Sequence, residues 1–456
     1  MTSPPSRTEP AQPRFLANLA TVLGGQAANI VVALLSEVCV ARLLGPAPRG
    51  VVSVCTMVIL FGALLGGLGG EVPIVIWAAR RHRKQSDWLS TVFAWGLLGC
   101  TISGLLWQLI YSRWHLAALR GVTPGLATLV LVTIPLAILF NYLAALLTGG
   151  ERFYDRAAVG LIENAAGLAG FLILYSVYRR DASAAMAGTW FGFAVGSAVA
   201  VFLLRSTLRS RHWTVPKPAK EIRAGLFMGL YGNLGNVGAF FTYRLDVFIV
   251  NYFLDPAQVG IYAVGVVVSE SLWQLPQAAA TALFPRTART ANEAGTAFTC
   301  LILRQVLLTS VVSGAILALA SPFVIPLVFG GRYSSTVPVI WWILPGTIAL
   351  GLGKVAASDL AGRYKTFYTS IFGVVTLAVT VVLDLLLIPR MGIQGAALVS
   401  SIAYMLNGVL LLAALRYELK VRWSDLLVPS FTELVSYKHA WTNLMIRLRL
   451  ISTTSS

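Results

Sequence analysis

Charge is scarce in this chain. Asp, Glu, Lys and Arg make up 12% of its 456 residues, where soluble domains carry about 25%. With 57% hydrophobic residues and a mean hydropathy of +0.76, the chain has too little polar surface to cover a water-soluble fold of this length, so the bilayer is its solvent. Cysteine and histidine are few, four of each. Cys39, Cys55, Cys100 and Cys300 lie in apolar stretches without paired spacing and read as small packing residues. His82, His115, His212 and His439 scatter through loops and the tail, so no metal site follows, and no cofactor is implied. Several other features are missing. There is no ~10-residue alternation of barrel strands, no clear cleavage site after the first apolar stretch, and no long loop able to house a catalytic domain. With no cluster of Asp, Glu and His either, the chain reads as a non-enzyme with no catalytic residue.

What is present is a succession of apolar segments, roughly at 15–41, 50–76, 89–112, 125–148, 158–178, 184–204, 225–253, 258–283, 299–328, 337–358, 367–388 and 392–415. Each is long enough to cross a core of ~30 Å as a helix rising 1.5 Å per residue. The expected fold class is therefore an all-α integral membrane protein of about twelve transmembrane helices. The net charge of +17 lacks the basic face with stacking aromatics that nucleic acid requires. Most Lys and Arg fall on one side of the spans, including Arg80, Arg81, Arg83 and Lys84 and the run from Arg205 to Arg223. This bias predicts both termini in the cytoplasm.

The organisation expected is a disordered tail at 1–14, a six-helix lobe at 15–204, a cytoplasmic linker at 205–224, a second six-helix lobe at 225–416, and a cytoplasmic tail at 417–456. The Pro- and charge-rich stretch around Trp213 marks the linker. In the tail, Phe431, Leu434, Trp441, Met445 and Leu448 share a helical face, which reads either as an interfacial helix or as a partly ordered tail. A repeat supports the two halves. Leu44, Pro46, Ala47, Gly50 and Val54 recur 210 positions later as Leu254, Pro256, Ala257, Gly260 and Val264. Each copy sits between two apolar spans, as in transporters built from duplicated halves.

An ionisable side chain in mid-span costs about 2.5–3.5 kcal/mol on insertion scales and usually faces protein or water. Such residues here are Glu37, Glu71, Glu163, Arg244, Asp246, Glu270, Lys354, Asp359 and Asp384; the last three lie nearer span ends. Glu71 follows the run Gly66-Gly67-Leu68-Gly69-Gly70, where the second span either breaks or packs closely on a neighbour. On the seventh span, Asn233, Asn236, Phe240, Arg244 and Asn251 form one stripe at ~100° per residue. On the eighth, Glu270, Trp273, Gln274, Gln277 and Thr281 do the same, and Pro276 should bend the helix. These stripes either meet a polar ligand or bond neighbouring helices. The first half shows little deep charge apart from Glu37 and Glu163.

In order along the chain stand Ala41-Arg42-Leu43-Leu44-Gly45-Pro46 with Gly50, Arg244-Leu245-Asp246, Val259-Gly260-Ile261-Tyr262-Ala263, Leu275-Pro276, Phe284-Pro285, Gly362-Arg363-Tyr364-Lys365 and Gly392-Ile393-Gln394-Gly395-Ala396. With these motifs, roughly residues 15–420 resemble the polysaccharide transporter, or O-antigen-type oligosaccharide flippase, family, within the superfamily that also holds the multidrug and toxic-compound extruders. The resemblance implies a MATE-like fold: two pseudo-symmetric lobes around a central cavity that opens alternately to either side. It implies a lipid-linked oligosaccharide on a polyprenyl diphosphate, carried across the cytoplasmic (inner) membrane for O-antigen, capsule or exopolysaccharide assembly. Membrane lipid and glycan polymerase or ligase proteins are the partners expected. The substrate-binding residues expected are Arg244, Asn233, Asn236, Glu270, Trp273, Gln274 and Gln277. Asp246, Glu270, Glu37 and Glu163 are the expected coupling residues. The rival reading is a cation-coupled multidrug extruder of the same fold.

Overall fold

In hydrocarbon, every backbone N–H and C=O must be satisfied within the protein, and a helix does this within one segment. The computed structural model follows that rule. It describes residues 12–79, 86–114, 117–178, 180–209, 220–289 and 293–428, with some side chains, Asn236 among them, outside the description. The helices in chain order are α1 (Gln12–Leu44), α2 (Pro46–Gly66), α3 (Glu71–Ala79), α4 (Ser86–Trp114), α5 (Pro124–Gly149), α6 (Phe153–Val177), α7 (Ala182–Arg209), α8 (Lys220–Phe253), α9 (Pro256–Glu270), α10 (Gln274–Arg289), α11 (Glu293–Phe329), α12 (Thr336–Gly362), α13 (Phe367–Met391), α14 (Ile393–Leu419) and the short α15 (Trp423–Leu427). Among the described residues there is no strand. Among the described residues ten spans are long and apolar enough to cross a membrane, and α1 and α8 occupy the other two expected positions. The second and eighth spans are each split, into α2–α3 and α9–α10. The core of the expected linker and the tail beyond residue 428 lie outside the described residues, as does most of the expected N-terminal tail; α1 is already helical at Gln12.

The repeated loop has a local explanation. Pro46 and Pro256 open α2 and α9, where a missing N–H costs nothing and the fixed φ suits a helix. In the first copy Gly45 stands directly before the proline, at φ 77°. In the second copy the Asp255 side chain accepts from the Gln258 N–H at 3.0 Å, an N-terminal cap. Elsewhere, α5 and α12 end alike: Arg152 N–H bonds back to Leu147 and Lys365 N–H to Leu360, with Glu151 and Tyr364 at positive φ, the left-handed closing turn of a helix.

Contacts group the chain into two units, one of residues 1–265, 323–337 and 383–396 and one of 266–322, 338–382 and 397–456. The first unit packs α2, α4, α5, α6 and α7 around Ile134, Tyr142, Leu147 and Phe171. It also takes in α8, most of α9, and the segments where α11 and α13 end and α12 and α14 begin. The second unit has its own core around Leu283, Leu303, Val355, Leu360 and Leu415. Exposed Leu97, Leu105, Leu319 and Val374 are the lipid-facing surface such a chain must have.

Candidate substrate site

The split in the second span follows from its glycines. Leu68 and Gly69 adopt φ 46° and 68°, which breaks the helix and strands carbonyls at its end. Side chains from other helices take them up. Tyr142 of α5 donates to the Gly67 carbonyl at 2.7 Å, and Asn233 of α8 donates to the Leu64 carbonyl at 2.8 Å. Gly69 lies so close to α8 that a Cβ there would stand 1.9 Å from the Gly229 carbonyl oxygen. Glu71 opens α3 just after the break.

In the eighth span the break is a 3-10 turn at Ser271–Trp273, just ahead of Pro276 rather than at it. Proline removes the bond to the carbonyl four residues earlier and crowds it, so the disturbance falls on Leu272. Around this turn, within the second unit, several predicted residues meet others from α12 and α14. Tyr404 of α14 donates to Glu270 at 3.2 Å, and its ring meets the Trp273 indole edge-on, with centroids 5.3 Å apart. The Lys354 ammonium of α12 stands 4.6 Å from the centre of the Trp273 ring and donates to Gln277 at 3.3 Å. Gln274 lies exposed at the start of α10, and the Thr281 hydroxyl bonds its own helix at the Gln277 carbonyl.

The α8 stripe divides within the first unit. Asn233 secures the α2 break, and Asn251 donates to the carbonyls of Ala118 at 2.8 Å and Arg120 at 3.3 Å. Phe240 stacks on Phe61 at 5.2 Å, and Arg244 is half-buried. Asp246, on another face, is buried and accepts from the Tyr262 hydroxyl. Asp384 of α13 lies within electrostatic reach of it. Asp384 is 0% exposed, and among the described residues neither of its carboxylate oxygens has a hydrogen-bond partner.

The first half carries more buried charge than its sequence led us to expect. Glu37 pairs with Arg49, which is 5% exposed and also bonds Ser53. Arg156 sits within electrostatic reach of both Glu163 and Glu71, with Phe140 at 5.9 Å. The spacing of Arg156 and Glu163, seven residues on one helix, was the available signal. Nothing local in the sequence pointed to Tyr142 or Tyr404, and Tyr262 stood out only as part of the motif Val259–Ala263.

At the end of the bundle where α1 stops, here called distal, backbone-directed bonds join elements of the first unit. Arg42 donates to the Leu327 and Val328 carbonyls at 3.1 and 3.3 Å, where the end of α11 presents negative charge. Tyr333 donates to Ala41 at 3.1 Å, Thr336 to Ile261 at 3.0 Å, and Arg120 to Leu254 at 3.0 Å. Burial pushes the Tyr333 phenol well above its usual range, so it stays a donor at physiological pH. The two repeat copies cross reciprocally. A Cβ on Gly50 would stand 1.7 Å from the Pro256 carbonyl oxygen, and one on Gly260 would stand 2.0 Å from that of Pro46. Only glycine permits so close an approach of helix backbones.

Residues 39–338 match the profile of the family described as "Polysaccharide biosynthesis protein". The chain belongs to that family. A relative in Shigella flexneri named "Putative O-antigen transporter" is 24% identical over 414 residues, covering 85% of this chain and 94% of that protein. Among solved structures, the lipid II flippase MurJ in an inward closed conformation aligns with a TM-score of 0.71 at 14% identity, over 87% of this chain and 88% of that one. An inward-facing multidrug resistance MATE transporter aligns at 0.67 and 14%, over 86% and 94%. A Vibrio cholerae MATE transporter aligns at 0.60 and 14%, over 90% and 97%. At such identities the structures speak for the fold alone, and that fold is MATE-like. This polysaccharide biosynthesis protein is thus a multi-pass membrane protein of MATE-like fold, with polar and aromatic side chains gathered at two broken spans.

Proposed function

We propose that this protein is a flippase that moves a polyprenyl-diphosphate-linked oligosaccharide across the cytoplasmic membrane by alternating access, for O-antigen, capsule or exopolysaccharide assembly. One observation above others supports the reading: the grouping of Glu270, Trp273, Gln277 and Tyr404 at the α9–α10 break of a polysaccharide biosynthesis protein. Sugars offer hydroxyls to amides and carboxylates and apolar ring faces to aromatic side chains, and ligand sites combine a few placed polar groups with such rings. Gln274, exposed at the start of α10, offers a further amide there, and Asn233 and Asn236 are proposed as additional sugar contacts. Arg244, whose planar guanidinium matches phosphate oxygens bidentately, binds the diphosphate.

The proposal keeps two six-helix lobes, 15–204 and 225–416, with both termini in the cytoplasm and the distal end outside. The distal bonds and the Gly50–Gly260 crossing then hold the outer side shut while cargo loads from the inner leaflet. Of the acids expected to couple transport to a cation gradient, Asp246 is favoured over Glu37, Glu163 and Glu270, because a second buried carboxylate, Asp384, lies within its electrostatic reach. The test is Arg244→Ala in cells whose surface glycan depends on this gene. We expect loss of surface glycan at normal protein levels; unchanged glycan sinks the role given to Arg244. The MATE-like fold supports a second reading, cation-coupled drug efflux, for which a deletion strain would become drug-sensitive with its glycan intact.

A further inference from the structure

Within the second unit, Lys354 is held in place by close backbone packing on both sides. Gly351 lets α12 approach α10: a Cβ there would stand 2.9 Å from the Pro276 ring. Gly353 lets it approach α14: a Cβ there would stand 2.8 Å from Gly408. The side chain between them carries its ammonium onto the Trp273 ring, 4.6 Å from its centre, with the Gln277 amide oxygen at 3.3 Å. The edge of the same indole is braced by Tyr404, which is fixed in turn by Glu270. The indole is thus a braced plate bearing a cation on its face.

From this arrangement we infer that Trp273 and Lys354 form a subsite for an acidic sugar residue, one carrying a carboxylate beside its pyranose ring. The inference rests on the reading of the protein as a glycan flippase and names the class of glycan it takes. Indole faces attract ammonium groups and also pack against the apolar face of a sugar ring, so Lys354 and a sugar compete for one surface. A neutral sugar gives the ammonium nothing in return for leaving the ring. A sugar carboxylate does: the charge-assisted bond from Lys354 replaces the cation–π contact, and the long flexible stem lets the ammonium swing off the plate. Gln277, released by the same movement, turns its amide to the ring hydroxyls. Lys354 therefore covers the plate in the absence of cargo and becomes the anion receptor in its presence. Preference for acidic over neutral units follows, because only the former removes the cover.

The experiment uses the full chain in cells lacking their own flippase, supplied with glycosyltransferases that build either a neutral or a uronic-acid-containing repeat unit on the same polyprenyl diphosphate. Surface glycan is measured for each. With Lys354→Met, acidic export is expected to fall about tenfold, the scale of one lost charge-assisted contact, while neutral export holds or rises as the plate is uncovered. Lys354→Arg, which keeps the cation, is expected to restore most of the acidic export. Equal loss of both glycans, or loss of neither, overturns the subsite; equal loss would mark Lys354 as a contact to the shared carrier or to the fold. If the unaltered chain exports neither glycan, the flippase reading itself fails, a result distinct from both.

Discussion

Asp359 shows how a buried charge can tie helices together. Its carboxylate is 0% exposed, yet it accepts from Thr287 at 3.0 Å, Thr299 at 2.9 Å and Arg363 at 2.7 Å, tying α10 and α11 to α12. Removing one partner of a buried ion pair leaves the other uncompensated and costs about 3–5 kcal/mol. Asp359→Ala should therefore lower the melting temperature of the purified protein in detergent markedly, and Asp359→Asn by less, because the amide still accepts from the threonines. A melting temperature unmoved by either would contradict this role. The sequence marked Asp359 as an expensive residue but could not name its partners, since Thr287 and Thr299 lie 72 and 60 positions away. Lys354 has the same history: its charge was legible, while its seat on Trp273 depends on how tightly α10, α12 and α14 pack.

Among the elements, the broken spans were the most legible, because proline and glycine act on their own neighbours. The glycine run before Glu71 and the proline at 276 mark both breaks to within a few residues. What fills the breaks was not legible, since Tyr142 and Asn233 come from helices far along the chain. Asn233 was expected on a ligand face and is found with its amide nitrogen on the Leu64 carbonyl, the kind of group most in need of a donor when a helix stops in a bilayer. The α2–α3 break should tolerate no side chain at Gly69, where φ is 68° and a Cβ would lie 1.9 Å from the Gly229 oxygen. Left-handed backbone alone costs a non-glycine residue roughly 1–2 kcal/mol, before the clash. Gly69→Ala should depress both melting temperature and transport, whereas Gly373→Ala, in open space on α13, should do neither. Equal behaviour of the two variants would show that the break is not sterically set.

For the whole molecule, the point of interest is the crossing of the two repeat copies. A reciprocal contact between equivalent residues, Gly50 to Pro256 and Gly260 to Pro46, is what a pseudo-twofold axis between duplicated segments produces. Its surrounding bonds are mostly side chain to backbone, each worth about 0.5–1.5 kcal/mol net, a scale that can hold these segments of the first unit together at the distal end without locking them permanently. If transport requires this end to part, joining it should stop the cycle. In a background with the four native cysteines replaced by alanine, Arg120→Cys and Leu254→Cys, whose parent residues are hydrogen-bonded at 3.0 Å, can be bridged by a short bifunctional thiol reagent. Glycan export should cease on bridging and return on cleavage of the bridge. Export continuing through a complete cross-link would show that this end does not open.

Hydropathy, periodicity and turn chemistry act over tens of residues at most, and what they govern was determined by the sequence alone: membrane residence, twelve helical spans, two breaks and a repeated loop with proline at the head of each following helix. Interactions between distant segments were decided only by the tertiary structure. Which buried charges are paired, which asparagines serve the backbone, and which aromatic ring receives Lys354 all depend on helices that meet across tens to hundreds of residues. In a bilayer, the identity of those neighbours sets whether a polar side chain is satisfied by protein or kept for cargo.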